Sequence, residues 1–366
     1  MKHDGEPWDW RAIPRKIQSM ARGTAFWIRH PKARDVRPTV VLFPVKGPIG
    51  ASLLRMYHVA TGLRGLGWNA VLVPFNLTLA QRHRILQRFQ PDLVLMQGVR
   101  HQLNRPHLYP GQRIVMDIDD ADFHLHHLEA PMKAAMPDVA LVLAGGRYVG
   151  DWCSDHGAPR VEVVWTGSPV SDASHRPQGE RPKVIAWAQA KPDSYKLERA
   201  WVLDVVARLV PRHPDLTLRL YGLGPSSDKA ILAPFEEAGI RVQWLPEMDY
   251  DAFLASFDDV ALGLSPIQPE TPFSRGKSFG KVLAYLDRKV PVIASDEAEH
   301  AAFFTEKSGV ITNDPEEWAR RADQLLSDAE LRQAMADAAF EDFKKRLSQG
   351  AVSARVDRIL RDLLSS

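Results

Sequence analysis

The stretch "SRGKSFGKVLAYLDRKVPVIASD" (274–296) places two lysines at the head of a helical pattern and ends in a short apolar run. The pattern predicts a helix over 276–288, and Lys277 and Lys281 would share one of its faces because they are four residues apart. Lys277 and Ser278 would lie in the first turn of this helix, where free N–H groups and the helix dipole favour an anion. The stretch therefore predicts either a phosphate site at a helix start or a solvated basic face of a surface helix.

Two series of short apolar runs extend outward from this stretch, with helical patterns between the runs. Such runs are typical of buried strands in parallel sheets that are covered on both faces. The first series consists of 39–45, 69–75, 91–98, 113–120, 139–146 and 161–168, and the second of 183–190, 216–222, 241–246, 260–266, 290–295 and 309–313. The sequence therefore predicts an α/β protein with two Rossmann-like, doubly wound domains facing a central cleft, where the ligands of such sheets bind.

The composition changes between the two series, because 168–183 is rich in Pro, Ser, Gly and charged residues. Such a segment is typical of a linker. We therefore divide the chain into an N-terminal basic amphipathic extension (1–38), a first Rossmann-like domain (39–172), a linker (173–182), a second Rossmann-like domain (183–346), and a C-terminal helix (347–366) that is a candidate for crossing back to the first domain.

The overall composition is that of a globular protein in a reducing compartment. The 366 residues are 45% hydrophobic and carry a net charge of +2, which does not favour a specific nucleic-acid partner. Cys153 is the single cysteine, which excludes an internal disulfide. No apolar run approaches ~18 residues, and the N-terminus has no signal-peptide pattern. We therefore expect a cytoplasmic protein.

The opening stretch resembles the donor-phosphate segment of GT-B glycosyltransferases of the family-four, or group 1, type. The residues that match in register are Gly276, Lys277, Ser278, Lys281, Tyr285, Pro291, Val292, Ile293, Ala294 and Ser295. The two-domain plan and the terminal helices are similar to the same fold from about residue 39 onward. The resemblance implies a hexosyltransferase that moves a sugar from a nucleotide-sugar donor to an unidentified glycan, lipid-linked or small-molecule acceptor. It also implies retention of configuration and no need for a metal or another cofactor.

Two other classes of protein remain open on the same fold. One is a non-catalytic GT-B-like binding subunit of a glycosylation complex. Ala284 favours this class, because it stands where the family has a ribose-binding glutamate. The other is a nucleotide-sugar epimerase, which would need a carboxylate and a histidine deep in the cleft. Lys289 also replaces a usual glycine, and Glu270 is a candidate substitute for the missing glutamate.

The resemblance implies a donor site that is built from several loops. Lys277, Ser278 and Lys281 would contact the diphosphate, and Lys191 and Lys277 would neutralise charge as the sugar–phosphate bond breaks. The other predicted donor-binding residues are Gly47, Gly50, Gln189, Gly222, Leu245 and Glu270. Gly47 and Gly50 follow the first strand, and the alternative is that they only form a βα turn. For Lys191 the alternative is an ordinary exposed lysine in a loop.

Acidic and histidine side chains cluster in "VMDIDDADFHLHH" (115–127), at the end of a predicted strand. Their spacing fits neither a calcium loop nor a zinc motif, so we predict no metal. By the resemblance, this run lines the acceptor side of the cleft, where Asp119 or His124 would orient the acceptor hydroxyl. The alternative is helix capping by Asp120 or Asp122. The predicted acceptor-side residues are Arg55, Asp117, Asp119 and Asp120.

Residues 11–34 hold seven Lys or Arg residues and no acid. Six residues, all but Thr24 apolar, fall on one helical face: Ile13, Ile17, Met20, Thr24, Trp27 and Ile28. The segment predicts either peripheral contact with the inner face of a membrane or a helix docked on the first domain.

Overall fold

A computed structural model describes residues 23, 24, 26, 38–172, 174–190, 192–222 and 229–366, with the side chains of 229 and 230 excepted. The predicted Lys191 therefore lies outside the described residues, as does most of the basic segment 11–34. Of that segment, Phe26 is described; it is buried in the core of the first domain, with its ring 6.2 Å from the ring of Phe89. Membrane contact through 11–34 stays a prediction.

The first domain contains a six-stranded parallel sheet. Its strands are β1 (Thr39–Phe43), β2 (Asn69–Leu72), β3 (Leu93–Gln97), β4 (Ile114–Ile118), β5 (Leu141–Ala144) and β6 (Val161–Val163). They pair in the order β2-β1-β3-β4-β5-β6. The strand order reverses beside β1, so the loops after β1 and β3 flank the topological switch point.

The second domain also contains a six-stranded parallel sheet. Its strands are β7 (Val184–Trp187), β8 (Thr217–Tyr221), β9 (Arg241–Leu245), β10 (Leu262–Ser265), β11 (Val292–Ala294) and β12 (Val310–Ile311). The order β12-β11-β10-β7-β8-β9 reverses between β7 and β10. The loops after these two strands therefore form the expected ligand site.

Helices cover both faces of each sheet. In the first domain, Gly50–Ser52, Leu53–Tyr57 and His58–Gly65 follow one another as one helix, α1, whose middle part is π-helical. The other helices of this domain are α2 (Leu79–Phe89), α3 (His126–Ala135) and α4 (Arg147–Asp155). The helices of the second domain are α5 (Lys196–Leu209), α6 (Lys229–Glu237), α7 (Tyr250–Ala255), α8 (Pro272–Arg275), α9 (Leu283–Asp287), α10 (His300–Phe303), α11 (Pro315–Ser327) and α12 (Ala329–Arg346). Short 3₁₀ turns lie at Pro106–Leu108, Asp122–His124, Met136–Asp138, Gln178–Glu180, Pro192–Ser194 and Phe279–Lys281.

The last helix, α13 (Gln349–Ser365), lies on the first domain. Val352, Val356 and Leu360 share one apolar cluster with α1 and with the strands of the first sheet. The indole Nε1 of Trp68 donates to Asp357 at 2.6 Å. The chain therefore returns from the second domain to the first. The start of α13 lies beside the chain that leads into the linker, with Ser348 paired to Ser168, and we call this region the hinge.

The two sheets and their buried apolar strands confirm the predicted fold class. All twelve strands are shorter than the apolar runs that predict them, and the difference is largest for β6, which ends at Val163 instead of extending to 168. The chain leaves the sheet there, and the Trp165 indole donates to Glu299 while the Thr166 hydroxyl donates to Asp119. Across the described ranges, no helix is long and apolar enough to cross a membrane.

Candidate functional site

The candidate site lies where the carboxyl ends of the two sheets face each other. In the second sheet, a small pocket opens at the switch point between β7 and β10. Its polar lining residues are Gln189, Tyr195, Glu198, Ser265, Ser274, Lys277 and Lys281. The structure therefore brings three predicted donor residues, Gln189, Lys277 and Lys281, to one place.

The segment that carries the two lysines is not the single helix predicted over 276–288. Helix α8 ends at Arg275, Phe279–Lys281 form a 3₁₀ turn, and α9 begins only at Leu283. Ser278 is extended, with φ −70° and ψ 160°, at the N-cap position of the 3₁₀ turn. Serine favours that position because its side chain competes with helical hydrogen bonding. Lys277 and Ser278 therefore lie in an irregular turn, 276–281, and not in the first turn of a long helix; we call this segment the lysine turn.

An anion already lies against this turn, and it comes from the other domain. The carboxylate of Asp120 accepts the Ser278 N–H at 3.1 Å and is 3.4 Å from Lys277 Nζ. Burial alone would raise the pKa of Asp120, but Lys277, the Ser278 N–H and Arg100 hold it below its usual value. The turn can therefore bind a negatively charged oxygen through one main-chain N–H and one ammonium group.

The two domains meet closely beside this carboxylate. The Ala121 N–H donates to the Gly276 carbonyl at 3.1 Å. A Cβ added at Gly276 would lie 2.3 Å from Ala121 Cβ, so this position requires glycine. The acidic run of the first domain and the lysine turn of the second are thus held in contact by their main chains.

The two lysines of the turn have different environments. Burial opposes the charge of Lys277, but Asp120 raises its pKa above the usual value. Lys281 is half-buried and donates to Gln189 Oε1 at 2.9 Å. Its removal from water and the charge of Lys277 lower its pKa to about 8. A bound phosphate would favour the charged form of Lys281, because opposite charge raises the pKa of an amine.

Two further predicted donor residues lie at the ends of neighbouring strands. Gly222 has φ +73° and donates its N–H to the Leu245 carbonyl at 3.1 Å. A Cβ at Gly222 would lie 2.2 Å from the Ala190 carbonyl oxygen, so the loops after β7 and β8 can approach only with glycine there. Gly222 and Leu245 therefore border the loop after β7, which carries Gln189.

Three predicted donor residues lie elsewhere. Glu270 is exposed in the loop after β10 and does not line the pocket around Lys277. Gly47 and Gly50 belong to the first domain, in the loop between β1 and α1, where Gly50 has φ +50°. Ala284, at the position of the missing glutamate, is buried in an apolar cluster of the second domain.

On the first domain, three of the four predicted acceptor-side residues, Arg55, Asp117 and Asp119, form one largely buried network. Arg55 projects from the π-helical part of α1 and bonds both oxygens of Asp117, with its Nε 2.9 and 3.1 Å from them. Its Nη1 donates to the Val164 carbonyl at 2.8 Å and lies 3.6 Å from Asp119. Burial opposes the charge of Arg55, but Asp117 and Asp119 raise its pKa. The guanidinium therefore fixes the position of two carboxylates at the end of β4.

Asp119 is the carboxylate of this network that can change its charge near neutral pH. Its Oδ1 accepts a hydrogen bond from Thr166 Oγ1 at 2.7 Å, and 13% of its side chain is exposed. Burial raises its pKa to about 6, Arg55 opposes the shift, and Asp120 adds to it. Asp119 therefore meets the requirement that a group which accepts a proton from a hydroxyl should titrate near the working pH.

Asp119→Asn is expected to change how stability depends on pH. The pKa of Asp119 is about 6 in the folded protein and 3.8 ordinarily, so folding binds a proton between these values. The wild type therefore loses stability as pH rises through this range, while the variant lacks this loss. In urea unfolding, the free energy of unfolding of the variant relative to the wild type should increase from about pH 4 to about pH 8. The same difference at both pH values would contradict the raised pKa.

The remaining predicted residue, His124, lies at the rim of the acidic run. It is exposed, and its Nε2 is 2.8 Å from the Tyr148 hydroxyl. Neighbouring Asp122 pairs with Arg100 and caps no helix. Within the part of the chain that the structure describes, no three or more His, Cys, Asp or Glu side chains are grouped to hold a metal.

The pocket contains one carboxylate that sequence reasoning missed. Glu198, in the first turn of α5, is 3% exposed and accepts a hydrogen bond from Ser274 Oγ at 2.8 Å. Beside it, Lys277 Nζ lies 4.2 Å from the centre of the Phe273 ring and 5.5 Å from that of Tyr195. Acidic residues are common in the first turn of a helix, so the sequence around Glu198 does not indicate that this residue lines a pocket.

The chain was compared with known proteins. Residues 199–361 match the family described as glycosyl transferase-like, and a search of curated protein sequences gives no significant match. The structure is similar to sucrose-phosphate synthase from Thermosynechococcus elongatus (TM-score 0.66, 12% identity, 90% of this chain and 99% of that chain covered). It is also similar to HepE from Anabaena in complex with UDP and glucose (TM-score 0.63, 14% identity, 89% of this chain and 100% of that chain covered). A third similar structure is a putative UDP-N-acetylglucosamine 2-epimerase from Listeria monocytogenes (TM-score 0.56, 12% identity, 88% of this chain and 95% of that chain covered).

Identities of this size establish the fold alone. The fold is that of GT-B proteins, and the predicted resemblance to glycosyltransferases is confirmed over residues 199–361, which are less than half of the chain. The family match covers most of the second domain and most of the crossing helix α13.

Proposed function

We propose that this protein is a glycosyltransferase that takes a sugar from a nucleotide-sugar donor bound in the cleft between its two domains. The observation that carries the proposal is the position of Asp120. Its carboxylate lies against the Ser278 N–H and Lys277 Nζ at the switch point of the second sheet. A turn that binds a carboxylate in this way can bind a phosphate oxygen through the same groups.

The reaction would depend mainly on stabilisation of the departing diphosphate. Lys277, the Ser278 N–H and Lys281 converge on one region, and each can donate a hydrogen bond to a phosphate oxygen as negative charge develops there. Lys191 is proposed as a further cation on the grounds of its place in the chain. Retention of configuration, independence of metal ions and transfer of a hexose remain parts of the proposal that rest on the resemblance.

The acceptor would lie against the first domain, opposite the donor. Asp119 is partly exposed, and its pKa of about 6 leaves it mostly ionised at neutral pH. It could therefore accept a hydrogen bond from an acceptor hydroxyl. Arg55 and Asp117 would act by fixing the position of Asp119, and His124 would contact the acceptor at the rim.

Asp120→Asn is expected to tighten the binding of a nucleoside diphosphate by roughly three- to tenfold, because a like charge no longer competes for Lys277 and Ser278. Asparagine keeps the shape of the side chain and can still accept the Ser278 N–H. Calorimetric titration of both proteins would measure the change. Weaker binding by the variant would mean that Asp120 supports the donor site and does not compete for it.

The proposed function is tested by incubating the protein with a panel of nucleotide-sugars. UDP-glucose is the first donor to try, since the similar HepE was solved with UDP and glucose. Release of free sugar and nucleoside diphosphate, or transfer to an added glycan, is the expected result. Formation of the epimeric nucleotide-sugar would identify an epimerase. Binding of nucleoside diphosphates with no turnover of any donor would identify a binding subunit.

A further inference from the structure

A second concave site lies on the hinge side of the molecule. It is a cleft of about 540 Å³, within the range of ~300–1,000 Å³ that is usual for ligand sites. Both domains contribute to it, through the loop after β6, the start of α4, α10 and the end of α12, and α13 forms one wall. Five of its twelve lining residues are Lys or Arg and one is Glu: Arg147, Lys345, Arg346, Arg355, Arg358 and Glu299.

Its single acidic residue is already fully engaged. The Glu299 carboxylate accepts the Arg147 N–H at 2.8 Å and the Trp165 indole N–H at 3.0 Å, and it pairs with the Arg147 side chain at 3.3 Å. Glu299 is 3% exposed. Its negative charge therefore compensates the positive charge of Arg147. The residues that line the cleft include no other carboxylate for the remaining four cations.

Those four cations have no carboxylate partner among the described residues. Arg346 donates to the carbonyls of Ala302 and Phe303, at 2.8 and 2.9 Å, and to no acid. Lys345, Arg355 and Arg358 are exposed, and the described part of the chain offers them no ion pair. The whole protein carries a net charge of only +2, so this concentration of positive charge is local.

Arg355 and Arg358 are three residues apart on α13, so they lie on one face of the helix within reach of a shared ligand. Like charges at this spacing repel each other unless an anion lies between them. Guanidinium groups bind phosphate oxygens with two parallel hydrogen bonds.

We propose that the hinge cleft binds a phosphate-bearing anion, which is either a free phosphate compound or a lipid headgroup. The anion would contact Arg355 and Arg358 on α13 and Lys345 on α12, and so would join the crossing helix to the second domain. This site is separate from the proposed donor site and does not depend on the proposed activity.

The cleft is also in contact with the lysine turn through one aromatic ring. Trp165 packs against Arg346 on one side, with the guanidinium 4.9 Å from its ring centre, and against Phe279 with ring centres 5.7 Å apart. Phe279 follows Ser278 directly. An anion bound in the hinge cleft would therefore lie next to Trp165, the residue that separates this cleft from the lysine turn.

The test uses the full chain with Lys277→Ala, so that phosphate binding at the lysine turn is weakened. Inorganic pyrophosphate is titrated at low salt into this parent and into the parent with Arg355→Gln and Arg358→Gln. The added pair should weaken binding by about tenfold or more, because two charge-assisted contacts are lost. The matched control adds Arg84→Gln and Arg241→Gln, which remove two exposed cations elsewhere and should leave affinity within about twofold. Melting temperatures would show that all three proteins fold.

A second arm separates the two sources of the phosphate. The same three proteins are mixed with phosphatidylcholine vesicles that contain phosphatidate and with vesicles that lack it. Vesicle binding that depends on phosphatidate and on Arg355 and Arg358 assigns the cleft to a lipid headgroup, and pyrophosphate binding alone assigns it to a free phosphate compound. Loss of equal size in the control pair, or failure of the parent to bind either probe, would overturn the proposal.

Discussion

Lys277→Ala is expected to weaken the binding of a nucleoside diphosphate by about ten- to a hundredfold, which corresponds to ~1.5–3 kcal/mol. Lys277 Nζ is the cation nearest to the anion that the turn already holds, 3.4 Å from Asp120. Only 12% of its side chain is exposed, so solvent screens it little. Its removal would leave the Ser278 N–H and Lys281 as the remaining donors of the turn, and Asp120 would still compete for the Ser278 N–H.

Calorimetric titration against the wild type measures this loss, with Lys307→Ala as the control. Lys307 is exposed and forms no ion pair with any described residue, so its loss should change affinity by less than about twofold. The Lys277 variant should also bind less salt-dependently, because a charge contact to phosphate is gone. An affinity that is unchanged while the fold is intact would remove Lys277 from the donor site.

Arg55→Ala is expected to lower the free energy of unfolding by about 3–5 kcal/mol, since removal of one partner from a buried ion pair leaves an uncompensated charge. Arg55 is 3% exposed and binds Asp117, Thr166 and the Val164 carbonyl. Its loss would leave Asp117 and Asp119 close together at the end of β4 without a cation. Arg55→Lys should recover only part of the loss, because an ammonium cannot reproduce the planar fork of donors.

Urea unfolding at two pH values tests the cause of this loss. Burial raises the pKa of both Asp117 and Asp119, and Arg55 opposes both shifts. In the variant, both carboxylates would therefore take up protons more readily in the folded state, and the deficit should shrink as pH falls from about 8 to about 5. Arg84→Ala, which removes an exposed arginine on α2, should cost less than about 0.5 kcal/mol. A deficit that does not change with pH would assign the effect to lost packing.

The fold could be predicted from the sequence because each buried strand is an almost continuous apolar run. Thr39–Phe43 and Leu93–Gln97, for example, are buried throughout, and the pattern alone marks them as central strands of a parallel sheet. The predicted end of β6 was wrong because Trp165 continues the apolar pattern while it packs on Phe279 of the other domain. An apolar pattern indicates that residues are buried, but it cannot distinguish burial in a sheet from burial in an interface between domains.

The site was predictable only in part, because its contacts join residues that are far apart in sequence. The lysine turn carries a local signal, whereas the bond from Ser278 to Asp120 spans 158 positions and leaves no spacing to detect. The helix predicted over 276–288 failed for a related reason. Ser278 is extended so that its N–H reaches Asp120, and this tertiary contact outweighs local helix propensity. Glu198 was missed because its partner, Ser274, lies 76 positions away.

The most direct test of the central claim is a crystal structure with a nucleoside diphosphate that the binding panel selects. The account predicts that a phosphate oxygen takes the place of the Asp120 carboxylate, within hydrogen-bond distance of the Ser278 N–H and Lys277 Nζ. The Lys281 ammonium group should contact the same diphosphate. A structure in which the diphosphate lies elsewhere, with the contact between Asp120 and Ser278 intact, would contradict the account.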